Sequence, residues 1–387
     1  MQGDGGVPRP FFHGTPSAKH LRLEPGPNLC RGRAGRFRPP ASSAWTPLGF
    51  PSILASSRMK LPSLTIFVPN LNHGRHLPAC VASVLSQSVL PTELILLDDG
   101  STDDSVAVME SLVRQSPVVK VYRNERNLGV IASLNRGLDL ATGDYFLGLA
   151  ADDCLLPGVV EKMLKLLVQH PQAAFCGAIT HFRDEGAGLE YLYGAGVADR
   201  ACYLSPDEMV RLSRAGRMHM FATPMIVNRQ QLIANGKYYP ELKWCTDWFA
   251  VWTAGYQAGV CHVPEVLGEF TKDSTSYSGR GMQNRAERFA IYRAMLDHLA
   301  RPQYQEAARR MREGAVLAQF GKEMLWLVLR HRQYRHFLTP VYLWQASWWS
   351  LRAEVKKLLP ASLSRIYFRL AGYAPRPGGS ASPAKAH

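Results

Sequence analysis

Two acidic clusters, each placed directly after an apolar strand-like run, constrain this chain more than any other feature. Asp98-Asp99-Gly100-Ser101-Thr102-Asp103 follows Leu94–Leu97, and Asp152-Asp153 follows Tyr145–Leu149. Around them the pattern alternates. Strand-like Thr65–Val68 precedes a helical stretch through Leu77, Val81, Val84 and Leu85, and a helix over Ser105–Val113 follows the first acidic turn. Strand-like Val118–Tyr122 then leads through the loop Asn124–Gly129 to a third helix ending near Ala141. Such β-α-β-α order predicts an α/β fold with a doubly wound, mainly parallel sheet flanked by helices. Acids at the ends of its strands gather at the carboxyl edge, where open sheets of this kind bind ligands. Neighbouring carboxylates there repel one another unless a cation intervenes, which points to a metal-bound phosphate group.

Charge divides the 387 residues into three parts. Residues 1–58 carry 8 basic against 2 acidic residues, and residues 280–387 carry 19 against 6. The body between them is mildly acidic, and the whole chain has a net charge of +14. The first part is rich in Pro, Gly, Arg and Ser without sustained periodicity, so it reads as a disordered basic extension. Met59 offers a natural start to the alternating body. Residues 59–279 read as the catalytic domain and 280–387 as a basic, aromatic-rich helical extension with a disordered tail. In that extension Trp326, Trp344, Trp348 and Trp349 interleave with Arg330, Arg332, Arg335 and Arg352. Interleaved indoles and basic groups suit an anionic membrane interface. The same aromatics are equally compatible with helices packed on the catalytic core.

Several classes are disfavoured. Seven scattered cysteines without a C-x-x-C pair argue against a structural zinc site. The sequence has neither a phosphate-loop signature nor a G-x-G-x-x-G fingerprint. Nucleic-acid binding has no supporting motif. No apolar run approaches the length of about 18 residues that a spanning helix needs, and the chain reads as cytoplasmic.

In order, Pro69-Asn70-Leu71-Asn72, Asp98–Asp103, Asn127-Leu128-Gly129, Asn135-Arg136-Gly137, Asp152-Asp153 and Thr246-Asp247-Trp248 resemble the GT-A-fold family 2 inverting glycosyltransferases of bacterial cell-surface glycans. The resemblance covers about residues 63–278. It implies a nucleotide-sugar donor, a Mg or Mn cofactor, and a glycan or lipid-linked acceptor. It places Asp152 as the metal ligand and Pro69, Asn72, Asp98, Asp99, Asn127 and Asp153 on the nucleotide sugar. Asp247 becomes the general base, with Trp244 and Trp248 flanking it as an acceptor platform. The implied location is peripheral, on the inner face of the plasma membrane. Two departures stand out: Ala150 where many relatives have an acid, and Leu71 where an aromatic is common. Lys272 and Asp273 occupy the stretch in which the family frequently carries a diphosphate-holding Arg and His. A non-catalytic GT-A-like nucleotide- or glycan-binding module and a sugar nucleotidyltransferase are the alternative readings of the same residues.

Overall fold

The computed structural model describes residues 60–184, 189–218, 223–271 and 281–348. The predicted disordered segment 1–58, the Lys272–Asp273 stretch and the chain beyond residue 348 lie outside them.

The first half follows the predicted alternation. Strands β1 (Leu64–Asn70), β2 (Glu93–Asp98), β3 (Val119–Arg123) and β4 (Tyr145–Gly148) alternate with helices α1 (Leu77–Leu85), α2 (Ser105–Val113) and α3 (Val130–Leu140). β1 pairs in parallel with β2 on one side and β4 on the other, and β2 pairs with β3. The inner strands β1 and β2 are mostly apolar because both faces are covered, whereas the edge strand β3 carries the exposed Lys120 and Arg123. Leu64, Ile66, Val68, Leu94 and Leu96 enter one hydrophobic cluster, while Phe67, Ile95, Leu97 and Phe146 enter another. Alternation along the strand thus divides the side chains between two buried layers.

The second half adds α4 (Val159–Gln169), β5 (Phe175–Asp184), β6 (Leu189–Tyr193), β7 (Cys202–Leu204), α5 (Pro206–Arg214), β8 (Met225–Asn228), α6 (Arg229–Ala234), α7 (Thr246–Ala258) and β9 (Val260–Thr271). The strand order is β3-β2-β1-β4-β8-β5-β9-β7, with β6 on β5. β8 runs antiparallel between β4 and β5, so β5 and its parallel partner β9 point the same way as β1–β4. Among the described residues β6, β7 and β8 are the reversed strands. A capping box opens α5: the Glu208 N–H donates to Ser205 Oγ and the Ser205 N–H to Glu208 Oε2. Gly158 in the left-handed region forms the N-cap of α4, with Pro157 just before it.

Helices α8 (Arg285–Leu299), α9 (Gln305–Glu313) and α10 (Gly321–Arg330) follow, and residues 340–348 are also helical. Ile291, Tyr292, Met295, Leu296, Met311 and Met324 join the cluster that holds Phe249 and Trp252 of α7. The aromatics of the extension divide by burial. Tyr334, Phe337 and Tyr342 are buried in that core, whereas Trp326, Trp344 and Trp348 stand exposed.

Candidate functional site

The parallel strands deliver polar residues to one edge. β1 ends at Asn70, which is in register with Asp98 at the end of β2, and Asp98 is in register with Arg123 at the end of β3. The chain then turns sharply after β2. The Ser101 N–H donates to the Asp98 carboxylate at 3.2 Å, and Gly100 at φ +80° makes the turn. Gly100 has no room for a side chain, since a Cβ would lie 2.7 Å from the Asn127 nitrogen and 2.8 Å from the Arg126 carbonyl carbon. The acidic turn and the Asn124–Gly129 loop are therefore in direct contact.

Asp98 and Asp99 are almost fully buried, at 1% and 3% exposure, and both carboxylates are engaged. Asp98 lies 3.3 Å from the Arg123 guanidinium and accepts a long 3.5 Å bond from Asn70 Nδ2. Asp99 accepts from Asn124 Nδ2 at 2.6 Å, from the Leu128 N–H at 2.9 Å and from the Gly129 N–H at 3.0 Å. The last two are free N–H groups at the start of α3, where a carboxylate is favoured. Asn72, in the left-handed region at φ +58°, accepts from the Thr102 N–H at 2.8 Å, and its own N–H donates to Ser101 Oγ at 2.9 Å. Asp103 completes the clasp by accepting from the Gly74 and Ser105 N–H groups. Pro69 is half-buried in β1, and Asn127 is exposed, its Oδ1 accepting from the Gly129 N–H at 2.9 Å.

Asp152 and Asp153 leave β4 on the neighbouring strand. Their loop lies along α1: the Leu155 N–H donates to Ser83 Oγ at 3.0 Å and Gln87 Nε2 to the Leu156 carbonyl at 3.0 Å. Asp152 is exposed and Asp153 half-buried. Burial, with the Asp152 charge beside it, pushes the Asp153 carboxyl up to about 7. Among the described residues no three His, Cys, Asp or Glu side chains gather into a metal cage. Mg²⁺ or Mn²⁺ does not require one, because it is commonly held by one or two carboxylates with phosphate and water oxygens completing the shell. An adjacent pair of hard oxygen donors fits such an ion.

Asp247 belongs to a different element. α7 leads through Gly259 straight into β9, so its last turn lies at the edge where the parallel strands begin. Its packing on β5, with Trp252 edge-on to Phe175, carries the helix back over the sheet. At 1.5 Å per residue its 13 residues span about 20 Å, with Asp247 in the first turn at the end away from Gly259. Burial pushes the Asp247 carboxyl above the ordinary carboxylate range, and the Trp248 N–H donates to its Oδ1 at 2.7 Å. The flanking indoles are committed to packing. Trp244 stands edge-on to Tyr292 of α8, and Trp248 edge-on to Phe320.

Sequence reading missed Asn70 and Asn124. Asn70 Nδ2 donates to Ser101 Oγ at 3.2 Å, and Asn124 Nδ2 bridges Asp99 and Ser133 Oγ. Asn70 ends β1 and Asn124 directly follows β3, a signal that gains meaning only when the strand register is known.

Comparison with known proteins bears on the fold and the family. Residues 65–233 match the model of the family described as glycosyl transferase family 2. A Haemophilus influenzae uncharacterized glycosyltransferase is 36% identical over 124 residues, covering 30% of this chain and 50% of that protein. A Mycobacterium bovis PGL/p-HBAD biosynthesis glycosyltransferase is 37% identical over 135 residues, covering 33% and 53%. The chain thus spans about half the length of these relatives. The S. aureus TarS 1–349 structure in complex with UDP-GlcNAc superposes with a TM-score of 0.53 at 18% identity, over 73% of this chain and 78% of that one. That similarity concerns the fold. Over residues 65–233 the chain is thus similar to the glycosyl transferase family 2 model, and its sheet and flanking helices are similar in fold to TarS.

Proposed function

We propose that this protein transfers a sugar from a nucleoside-diphosphate donor to a hydroxyl of a glycan or lipid-linked acceptor, with inversion at the anomeric carbon. The observation that supports the reading is that the β2 acidic turn, the loop after β3 and the Asp152–Asp153 pair each follow the carboxyl end of a parallel strand in the order β3-β2-β1-β4. Open α/β sheets bind ligands at this edge. The UDP-GlcNAc complex of the similarly folded TarS makes a uridine nucleotide sugar the first donor to test.

In this reading Asn72, Asp98, Asp99 and Asn127 shape the nucleotide pocket together with Pro69, and Asp153 borders the sugar. Asp152 would hold Mg²⁺ or Mn²⁺, which when bound neutralises charge on the departing diphosphate. Asp247 takes the proton from the acceptor hydroxyl. The freed oxygen attacks the anomeric carbon from the face opposite the diphosphate as the sugar–phosphate C–O bond breaks, and the electron pair leaves with the nucleoside diphosphate. One base suffices for this single displacement. A carboxyl raised by burial is a stronger base than a solvated one, which suits Asp247 to the role.

The C-terminal extension would hold the enzyme at an anionic membrane surface on the cytoplasmic side. Supporting this are the exposed Trp326, Trp344 and Trp348 and the Arg330 guanidinium 5.5 Å above the Trp326 ring. Among the described residues no helix is long and apolar enough to cross a membrane. The test is a panel of nucleotide sugars assayed for nucleoside diphosphate release with and without Mn²⁺. Release of pyrophosphate instead, or binding without turnover for every donor and acceptor tried, would overturn the proposal.

A further inference from the structure

The segment that leads to Asp247 is tied to helix α3 by the side chain of Asn135. Asn135 Nδ2 donates to the Tyr238 carbonyl at 2.8 Å, and the Tyr238 N–H donates to Asn135 Oδ1 at 3.0 Å, across 103 positions of sequence. The amide head copies a strand-like backbone pair, so both groups of Tyr238 are held at a fixed distance from α3. Lys237 adds an ion pair to Asp139 on the same helix.

Helix α3 is itself held at two other places. A methyl group added at Gly137 would fall inside the ring of Phe67 on β1, so the helix backbone rests directly on the sheet. At its start the Leu128 and Gly129 N–H groups donate to Asp99 of the acidic turn. From Gly129 to Asn135 the helix rises about 9 Å. One short rigid element therefore joins the acidic turn to Tyr238.

Beyond Tyr238 the chain passes through a short 3₁₀ helix, Pro240–Cys245, and enters α7 one residue before Asp247. Lys243 in this passage has φ +45°, a region that costs a non-glycine residue energy and persists only where the surroundings enforce it. The enforcing contacts are present. Glu241 meets His298 at 2.8 Å, and Lys243 lies 3.4 Å from Glu287. Asn235, just upstream, donates to the Ala250 carbonyl of α7 at 2.8 Å. The extension therefore fixes the outer side of the passage, and Asn135 fixes the side facing the sheet.

We infer that Asn135 is a positioning residue for the transfer step: it sets the distance between the Asp247 carboxylate and the donor held at the strand-end edge. This rests on the reading of Asp247 as the general base. A misplacement of about 1 Å at a reacting group costs roughly 100-fold in rate, and loss of the clasp frees the inner side of the passage while leaving the acidic turn intact.

The experiment uses the full chain carrying Asn135→Ala, with Lys237→Ala as the control for the peripheral ion pair. Asn135→Ser is the second variant should Asn135→Ala not fold. The expected result is a donor KM within about twofold of wild type and a kcat lower by about 10- to 100-fold, with Lys237→Ala close to wild type. Amide hydrogen exchange should accelerate across residues 238–247 while Leu128 and Gly129 stay protected. Unchanged kcat and unchanged exchange in the Asn135 variant overturn the inference, as does a uniform rise in exchange over the whole domain with KM and kcat impaired together. The exchange measurement decides the mechanical link even without turnover. A wild-type rate in Asp247→Asn would instead remove the assignment of the base.

Discussion

Glu93 provides a quantitative test of how the parallel sheet is held together. Its side chain is 1% exposed at the start of β2. Oε1 accepts from Thr65 Oγ1 at 2.7 Å, from the Thr142 N–H at 2.7 Å and from Thr142 Oγ1 at 2.9 Å, and Oε2 meets Lys120 Nζ at 2.5 Å. One carboxylate thus joins β1, β2, β3 and the turn before β4. Burial opposes its ionisation, but the hydrogen bonds from Lys120, Thr142 and Thr65 outweigh burial and hold the carboxyl down at about 2, against an ordinary 4.5. A depressed folded-state pKa stabilises the native protein above pH 4.5, and that contribution disappears as pH falls from about 4.5 toward 2. At about 1.4 kcal/mol per pH unit the gap amounts to roughly 3 kcal/mol at neutral pH. Glu93→Gln keeps the Oε1 acceptor but turns an amide N–H₂ toward Lys120. Urea unfolding followed by tryptophan fluorescence should show the variant about 2–3 kcal/mol less stable at pH 7, with the difference shrinking steadily below pH 4.5. A gap of equal size at pH 7 and pH 3 would mean that charge is not the cause, and the reasoning fails.

Three further outcomes are expected from the geometry. Gly100→Ala forces a Cβ onto the backbone of Arg126 and Asn127 at a positive φ, and should cost about 2 kcal/mol or more while weakening donor binding; a thermal-shift assay with and without UDP-GlcNAc measures both. Chelation by EDTA should abolish nucleoside diphosphate release, with Mn²⁺ or Mg²⁺ restoring it in wild type but not in Asp152→Ala; full activity in EDTA contradicts the assignment of Asp152. Trp344→Ser removes an indole that is 71% exposed, so stability should change by less than about 0.5 kcal/mol. Co-sedimentation with phosphatidylglycerol vesicles should fall, and undiminished binding would detach Trp344 from the membrane role.

The first half of the fold was legible because its inner strands β1 and β2 are buried on both faces and its elements are separated by strong turn residues. Leu94–Leu97 can hardly be anything but an inner strand, and Asp98–Asp103 carries its turn chemistry locally. The second half was less readable. Strand β8 is four residues, Met225–Asn228, and is a strand only because β4 and β5 flank it. Its identity lies in long-range pairing rather than in its own composition, and the same holds for β7. The candidate site divides in the same way. The acidic residues announced themselves through strand-end position, whereas Asn70 and Asn124 act across neighbouring strands and are silent until register is known. Asn135 was visible as part of a motif, yet its partner Tyr238 could not be read from sequence. Trp244 and Trp248 were readable as neighbours of Asp247, but their contacts with Tyr292 and Phe320 of the extension could not be read from sequence.

The most direct test of the account is proton NMR of the transfer product made by wild type and by Asp247→Asn from the same donor. Wild type should yield a glycoside whose anomeric configuration is opposite to that of the donor, while Asp247→Asn binds the donor with similar affinity and makes no product. A product that retains the donor configuration, or transfer by Asp247→Asn at the wild-type rate, would contradict it.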